Sequence, residues 1–255
     1  MTRSAGFTLP LSLPRRQIGD FLHFASRVPS VTVEKTVQVG PLVEARRMNP
    51  HRPGWCSIFT KAWALVGVRH PVLRRAMLSF PWQRLYQHPN HIASIAVERS
   101  FEGEEAVFFL QIKKPEEKSL VEIDRRIKWF KMRPAEDPSG VLTRQLRMAR
   151  MPRLLRRSAW WYGLEANGRL RARFFGTFGV TAHAGGGSQS LNPPGLLTST
   201  LSYGPIRETG EVTVRIIYDH RTLDGSPVSR ALATLQEVLR DDIHRELVAE
   251  GPPGP

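Results

Sequence analysis

The residues EVTVRIIYDHRTLDG (211–225) run as a strand of alternating apolar side chains into a polar, charged turn that ends on glycine. The segment VSRALATLQEVL (228–239) follows and places Val228, Leu232, Leu235 and Leu239 on one helical face. A strand joined to an amphipathic helix by so short a turn sends that helix back over its own sheet, so helices and strands must share one layered core. His220 stands in the turn, at a strand end, where binding and catalytic groups are often built. An imidazole suits general base work because it can take up a proton and return it within one cycle near neutral pH. Position alone gives it only a modest lead over seven other histidines: His23, His51, His70, His88, His91, His183 and His244.

The same periodicities organise the rest of the chain. Residues 13–27 place Ile18, Phe21, Leu22 and Ala25 on one helical face, and Pro29 ends that helix. In 31–39, Val31, Val33, Lys35, Val37 and Val39 alternate with polar residues, as in a strand with one buried face. A second helix is expected after Pro41 and a third over 57–69, closed by Pro71. Residues 92–98 and 106–112 read as a hairpin turning at Glu102-Gly103-Glu104. Ser119, with Glu122 three residues on, caps a helix over 119–131. Arginines at 144, 147, 150, 153, 156 and 157 are threaded between leucines and methionines and followed by Trp160, Trp161 and Tyr162. This stretch reads as a solvated arginine face over a packed helix broken at Pro152, in preference to a membrane-surface or acidic-partner grip. Strands are expected over 170–181, near 196–203 and over 211–218, with a glycine loop at Gly185-Gly186-Gly187 between the first two.

Composition limits the function classes. Cys56 is the single cysteine, so an internal disulfide and a cysteine-based metal site are excluded, and a reducing compartment, the cytoplasm, is expected. Beside Trp55, Ile58 and Phe59 it reads as a buried, inert thiol. No apolar run reaches the roughly 20 residues of a membrane span, and no signal peptide is read at the amino terminus. The net charge of +14 favours phosphates or acidic partners without naming one. A nucleic-acid partner is not expected, since no groove-reading motif or aromatic platform accompanies the charge.

The run Asp219-His220-Arg221-Thr222-Leu223-Asp224-Gly225, followed by a helix, resembles the His-x-x-x-Asp-Gly signature of the catalytic domain of dihydrolipoamide acyltransferases, shared in shorter form by chloramphenicol acetyltransferase. The resemblance continues in order through SVTVEKTVQVGPLVEAR near the amino terminus, Lys118-Ser119-Leu120 with Glu122-Ile123, Gly176-Thr177-Phe178 with Thr181, and the Leu191-Asn192-Pro193-Pro194 turn. It implies an α/β fold, a two-layer sandwich with a mixed sheet flanked by helices, chloramphenicol acetyltransferase-like and trimeric, with the active site in a channel between subunits that coenzyme A enters from one side. It also implies roles. His220 would deprotonate the attacking thiol, Asp224 would hold the turn through an ion pair with Arg15 or Arg16, and Gly225 and Arg221 would support it.

The family stabilises its tetrahedral oxyanion with a serine hydroxyl, and the matching residue is Thr181, which keeps the donor and adds a methyl group. Ala182 follows where asparagine is usual, and His183 lies beside the same position as a loop histidine. The domain expected is 1–248, with a basic insertion about 133–173 and a disordered tail at 249–255. Because no lipoyl or subunit-binding domain is read before the catalytic region, a stand-alone enzyme, or a core borrowing lipoyl groups from an acidic partner chain, is expected. Coenzyme A would serve as acyl carrier, and assembly beyond the homotrimer is left open. The alternative is a catalytically inactive trimeric scaffold on the same fold.

Overall fold

The computed structural model describes residues 6–132, 141–182 and 190–249. The helix α1 (Leu13–Ala25) opens with the Ser12 hydroxyl accepting from the Arg15 N–H at 3.3 Å. It leads into β1 (Ser30–Gln38), then α2 (Gly40–Met48) and α3 (Trp55–Arg69). A small hairpin that sequence periodicity did not announce follows, β2 (Arg75–Leu78) and β3 (Arg84–Gln87). Four-residue strands are too short to display a period. The expected long hairpin is present as β4 (Ile92–Phe101) and β5 (Glu104–Lys113), turning at Glu102 and Gly103, both at positive φ. The helix α4 (Leu120–Met132) starts where Ser119 Oγ accepts from the Glu122 N–H at 3.1 Å.

Helices α5 (Val141–Arg150), α6 (Arg153–Trp161) and α7 (Gly168–Phe175) occupy the basic stretch. Residues 170–175 are therefore helical, not the start of a strand. The alternation in Leu170-Arg171-Ala172-Arg173 imitates a strand, but Asn167 caps a helix there, its Oδ1 accepting from the N–H groups of Arg169 and Leu170 at 3.0 and 3.1 Å. Strand β6 (Phe178–Ala182) comes only after Gly176, whose φ of 94° suits glycine and where a Cβ would lie 2.9 Å from the Ile92 carbonyl oxygen. Strands β7 (Ser199–Tyr203) and β8 (Glu211–Asp219) and the helix α8 (Gly225–Val238) complete the core. The chain continues through one wide turn into α9 (His244–Ala249), so Ala249, expected in the tail, is helical. The glycine loop, His183 and residues 250–255 lie outside the described residues.

The six-stranded sheet has the order β1-β8-β7-β6-β4-β5, with β4, β6 and β7 mutually parallel and the other pairs antiparallel. Phe108 and Phe109 are successive strand residues and so face opposite ways. Phe108 joins the main core with Ile58, Phe59 and Trp63 of α3 and Val228, Leu232 and Leu235 of α8. Phe109 meets Phe21 of α1 in a stacked pair, ring centroids 5.1 Å apart. The four residues picked out by periodicity are all buried, Val228, Leu232 and Leu235 on α8 and Leu239 just after it. In β1 the expected apolar face fails only at its start: Val31 is exposed, Val33 is partly buried against the core, and Val37 and, just past the strand, Val39 are fully buried. That strand lies at the sheet edge.

The α1 face also differs from expectation. Leu22 is exposed, and the buried side carries Gln17, Asp20, Phe24 and Ala25. Asp20 is turned inward by Arg156 of α6, which bonds both carboxylate oxygens, and by Arg157 at 3.3 Å. Arg156 also donates to the carbonyls of Ala149 and Met151. The arginine stretch is thus not wholly a solvated face: Arg156 and, in α7, Arg171 are buried. Leu142, Leu146 and Ala149 of α5 pack inward as an ordinary amphipathic helix does.

Candidate active site

The strand β8 delivers its last residues into a turn fixed mainly by Asp219. Its carbonyl accepts from the N–H groups of Thr222 and Leu223 at 3.0 and 3.1 Å and from the Thr222 hydroxyl at 2.9 Å. Its carboxylate is buried and takes three bonds from Arg221, the guanidinium giving Nε to Oδ1 at 2.9 Å and Nη2 to Oδ2 at 2.8 Å and the backbone N–H a third to Oδ1 at 3.0 Å. A forked guanidinium–carboxylate pair of this kind fixes orientation as well as charge. The Asp219 N–H donates to Thr198 and the His220 N–H to Pro29, so the turn is sewn to the ends of its neighbouring elements.

His220 is held by this frame with its side chain 49% exposed and Nδ1 3.7 Å from Asp224 Oδ1. That leaves Nε2 to meet a substrate. Asp224 precedes α8 and its side chain is 84% exposed. The expected ion pair of Asp224 with Arg15 or Arg16 is not formed within the chain. Arg15 Nε bonds Glu104 at 2.5 Å, and Arg16 Nε donates to the Leu11 carbonyl at 3.2 Å. The carboxylate locked to an arginine is Asp219, five residues earlier, and its arginine is Arg221. Two acids flank His220 in sequence. Nothing in their spacing says which turns inward, because the end of β8 is buried on both faces and has no alternation to read.

Thr181 lies on β6, opposite Ser202 of β7, which lies opposite Arg215 of β8. Five residues separate Arg215 from His220, so at about 3.3 Å per residue the two candidate groups are roughly 16 Å apart along the sheet, besides two strand spacings. One chain does not bring them together. Thr177 serves the backbone: its hydroxyl accepts from the Ile92 N–H at 2.9 Å and donates to the Ile92 carbonyl at 3.2 Å. Asn192 accepts from the Thr32 hydroxyl at 2.7 Å, anchoring the Asn192-Pro193-Pro194 turn to β1.

Thr181 borders a largely apolar cavity of about 260 Å³ whose walls include Phe21, Phe109, Trp160, Phe174 and Phe175. A second cavity of about 290 Å³ shares Gln17, Gln145, Trp160, Phe174 and Phe175 with it. Other reactive types in the chain are set for structure. Burial pushes the Cys56 thiol up to about 11, a thiol and not a thiolate at neutral pH. Burial likewise pushes His88 and His91 down to about 4.

A mixed sheet flanked by helices in this arrangement is the fold of dihydrolipoamide acetyltransferase catalytic cores. Three solved structures carry that statement. A probable dihydrolipoamide acetyltransferase from Listeria monocytogenes is 18% identical, with a TM-score of 0.66 over 92% of this chain and 94% of that one. The cubic core of a pyruvate dehydrogenase multienzyme complex is 16% identical, with a TM-score of 0.65 over 96% and 95%. The dihydrolipoamide acetyltransferase of Azotobacter vinelandii is 14% identical, with a TM-score of 0.65 over 95% and 94%. That last structure was used to study the catalytic roles of a serine, a histidine and an asparagine four positions after the histidine. No family model matches the sequence, and no curated protein does. At these identities the likeness is one of fold. Among the described residues, no helix is long and apolar enough to cross a membrane.

Proposed function

We propose that the chain is a coenzyme A-dependent acyltransferase of the dihydrolipoamide acyltransferase kind, in which His220 activates a thiol and Thr181 of a second copy stabilises the oxyanion. The observation that carries the reading is the presentation of His220: a half-exposed imidazole on a turn locked by Asp219 and Arg221, with Asp224 behind Nδ1. The four-residue step from His220 to Asp224 equals the histidine–asparagine step studied in the Azotobacter enzyme. Nε2 of His220 takes the proton of the attacking thiol, of dihydrolipoamide or coenzyme A, and the sulfur bonds to the thioester carbonyl carbon. The carbonyl oxygen becomes an oxyanion, met by the Thr181 hydroxyl. Collapse breaks the bond to the departing sulfur, which leaves with the proton held on His220.

The separation of His220 and Thr181 within the chain supports a homotrimer, since a ring of copies can set one subunit's turn against the next subunit's β6. The likeness to a cubic multienzyme core extends the proposal to further assembly. Lipoyl groups would come from an acidic partner chain, and the charge of +14 suits both that partner and the phosphates of coenzyme A. The test measures acyl transfer from acyl-CoA to dihydrolipoamide by wild type and His220→Ala, with coenzyme A binding followed by calorimetry. Loss of about 10²–10⁴-fold in the variant, with binding retained, is the expected result for a general base. Equal turnover in both proteins defeats the assignment, and an inactive scaffold would show neither turnover nor coenzyme A binding.

A further inference from the structure

The helix α6 is turned against its own polarity. A surface helix ordinarily directs its apolar side inward, but α6 buries Arg156 on Asp20 and sends Leu154 and Leu155 out, Leu154 being 82% exposed. Trp161 and Tyr162 follow each leucine by seven residues, two helical turns, and are exposed as well. The four side chains therefore form one outward stripe. The arginine pattern in sequence conceals it, because nothing in that pattern tells which arginine is neutralised inside.

The stripe continues past the helix. Phe80 meets Trp161 edge to face with ring centroids 5.3 Å apart, and close by in the loop between β2 and β3 stands Trp82, 68% exposed. Arg84 holds that loop, donating to the carbonyls of Phe80 and Trp82 at 2.6 and 3.1 Å and to the Ala166 carbonyl at 3.1 Å. Its guanidinium lies 5.9 Å from the Trp82 ring centroid. The N–H groups of Ser79 and Phe80 donate to the Glu165 carbonyl at 3.1 and 3.0 Å, which ties the loop to the turn after α6. The surface is thus formed before any partner arrives, and binding need not order it.

Residues 141–175 carry nine arginines and one acid, Glu165, whose carboxylate takes the Ser79 hydroxyl at 2.6 Å. Arg153 and Arg157 adjoin the leucines along α6. We propose that this surface is an interfacial anchor for an anionic lipid bilayer: the leucines and indoles enter the boundary between headgroups and acyl chains, and the arginines meet lipid phosphates. The inference uses no residue of the proposed acyl-transfer site and stands apart from that reading. Charge complementarity selects the occupant. A second copy would bring arginines against arginines. A protein partner would have to match each projecting side chain, whereas a bilayer boundary receives any outline.

The test floats the full chain with vesicles of phosphatidylcholine alone and of phosphatidylcholine with phosphatidylglycerol, and follows the size of the protein by sedimentation without vesicles. Wild type should bind the mixed vesicles at least about tenfold more tightly than the neutral ones, and less tightly as salt rises. Leu154→Ser/Leu155→Ser leaves the charge unchanged and should weaken that binding at least about tenfold. Arg153→Gln should weaken it about fivefold. Trp82→Ser, on a different element, should weaken it at least about fivefold and decides alone if circular dichroism shows the leucine variant unfolded. Failure to bind mixed vesicles at low salt overturns the anchor. So does binding that neither the leucine variant nor Trp82→Ser weakens, because charge alone then accounts for it. A smaller oligomer in the leucine variant assigns the stripe to a contact between copies. Polyglutamate bound as tightly as the mixed vesicles, and lost equally in that variant, assigns it to an acidic protein; either result overturns the lipid assignment.

Discussion

Asp20→Asn removes one charge and almost no volume from the junction of α1 and α6. Asp20 and Arg156 are 1% and 6% exposed, so the substitution leaves a buried guanidinium whose remaining partners are the carbonyls of Ala149 and Met151. Breaking a buried pair from one side costs about 3–5 kcal/mol, because the surviving charge can neither be solvated nor neutralised. Arg157, held to the same carboxylate at 3.3 Å, is partly exposed and can turn to water, so it adds little. In urea, with a slope of about 3 kcal/mol per molar for a chain of this size, the midpoint should fall by about 1–1.7 M, measured at fixed protein concentration. The double variant Asp20→Asn/Arg156→Met should recover much of the loss, since no unpaired charge remains. A cost below about 1 kcal/mol for Asp20→Asn, the figure for an exposed pair, would refute the argument that this junction is dry.

Acid should unfold the protein earlier than its carboxylates alone require. His88 and His91 are both 2% exposed and are pushed down to about 4 by burial, with Arg74 acting in the same direction. The unfolded chain therefore binds more protons between pH 6.5 and 4; the stability these rings contribute is complete above about 6.5 and is lost as pH falls towards 4, up to about 3 kcal/mol for each. Glu116, raised by burial, opposes this in part. Urea midpoints from pH 7 to 4.5 should fall, and the fall should flatten in His88→Gln/His91→Gln; an unchanged slope contradicts the account. At the active-site turn, Arg221→Lys keeps the charge but loses the fork on Asp219, so stability should drop by about 1–2 kcal/mol and acyl transfer with it. Arg16→Ala should leave transfer within about twofold, a surface change away from the turn; abolition of transfer would restore the pairing of Asp224 with an amino-terminal arginine.

Local pattern was sufficient wherever one face of an element meets the main core. That holds for α3, for α8 with Val228, Leu232 and Leu235 buried, for the β4–β5 hairpin, and for the Ser119 cap of α4. The position of His220 was legible because the apolar run of β8 gives way to a polar, charged turn. The motif's second acid was legible as a residue and misread as a partner. Which carboxylate is locked depends on Arg221 curling back on Asp219 two residues away, a matter of turn geometry that spacing does not encode.

What the sequence by itself determined is the order and type of the core elements and the placing of His220 at the end of β8, because periodicity of 2 or 3.6 records which side of an element leaves water. What only the tertiary structure decided depends on groups far apart in the chain. The inward face of α1 was set by Arg156, 136 residues from Asp20. The helix at 168–175 was set by Asn167 and by the rings packed around Trp160 and Phe175. The cavity beside Thr181 arises where α1, β4, β5 and β6 meet α5 to α7, with no trace in any one segment. A single segment carries its own amphipathicity; a cavity and a buried ion pair exist only once several segments have met.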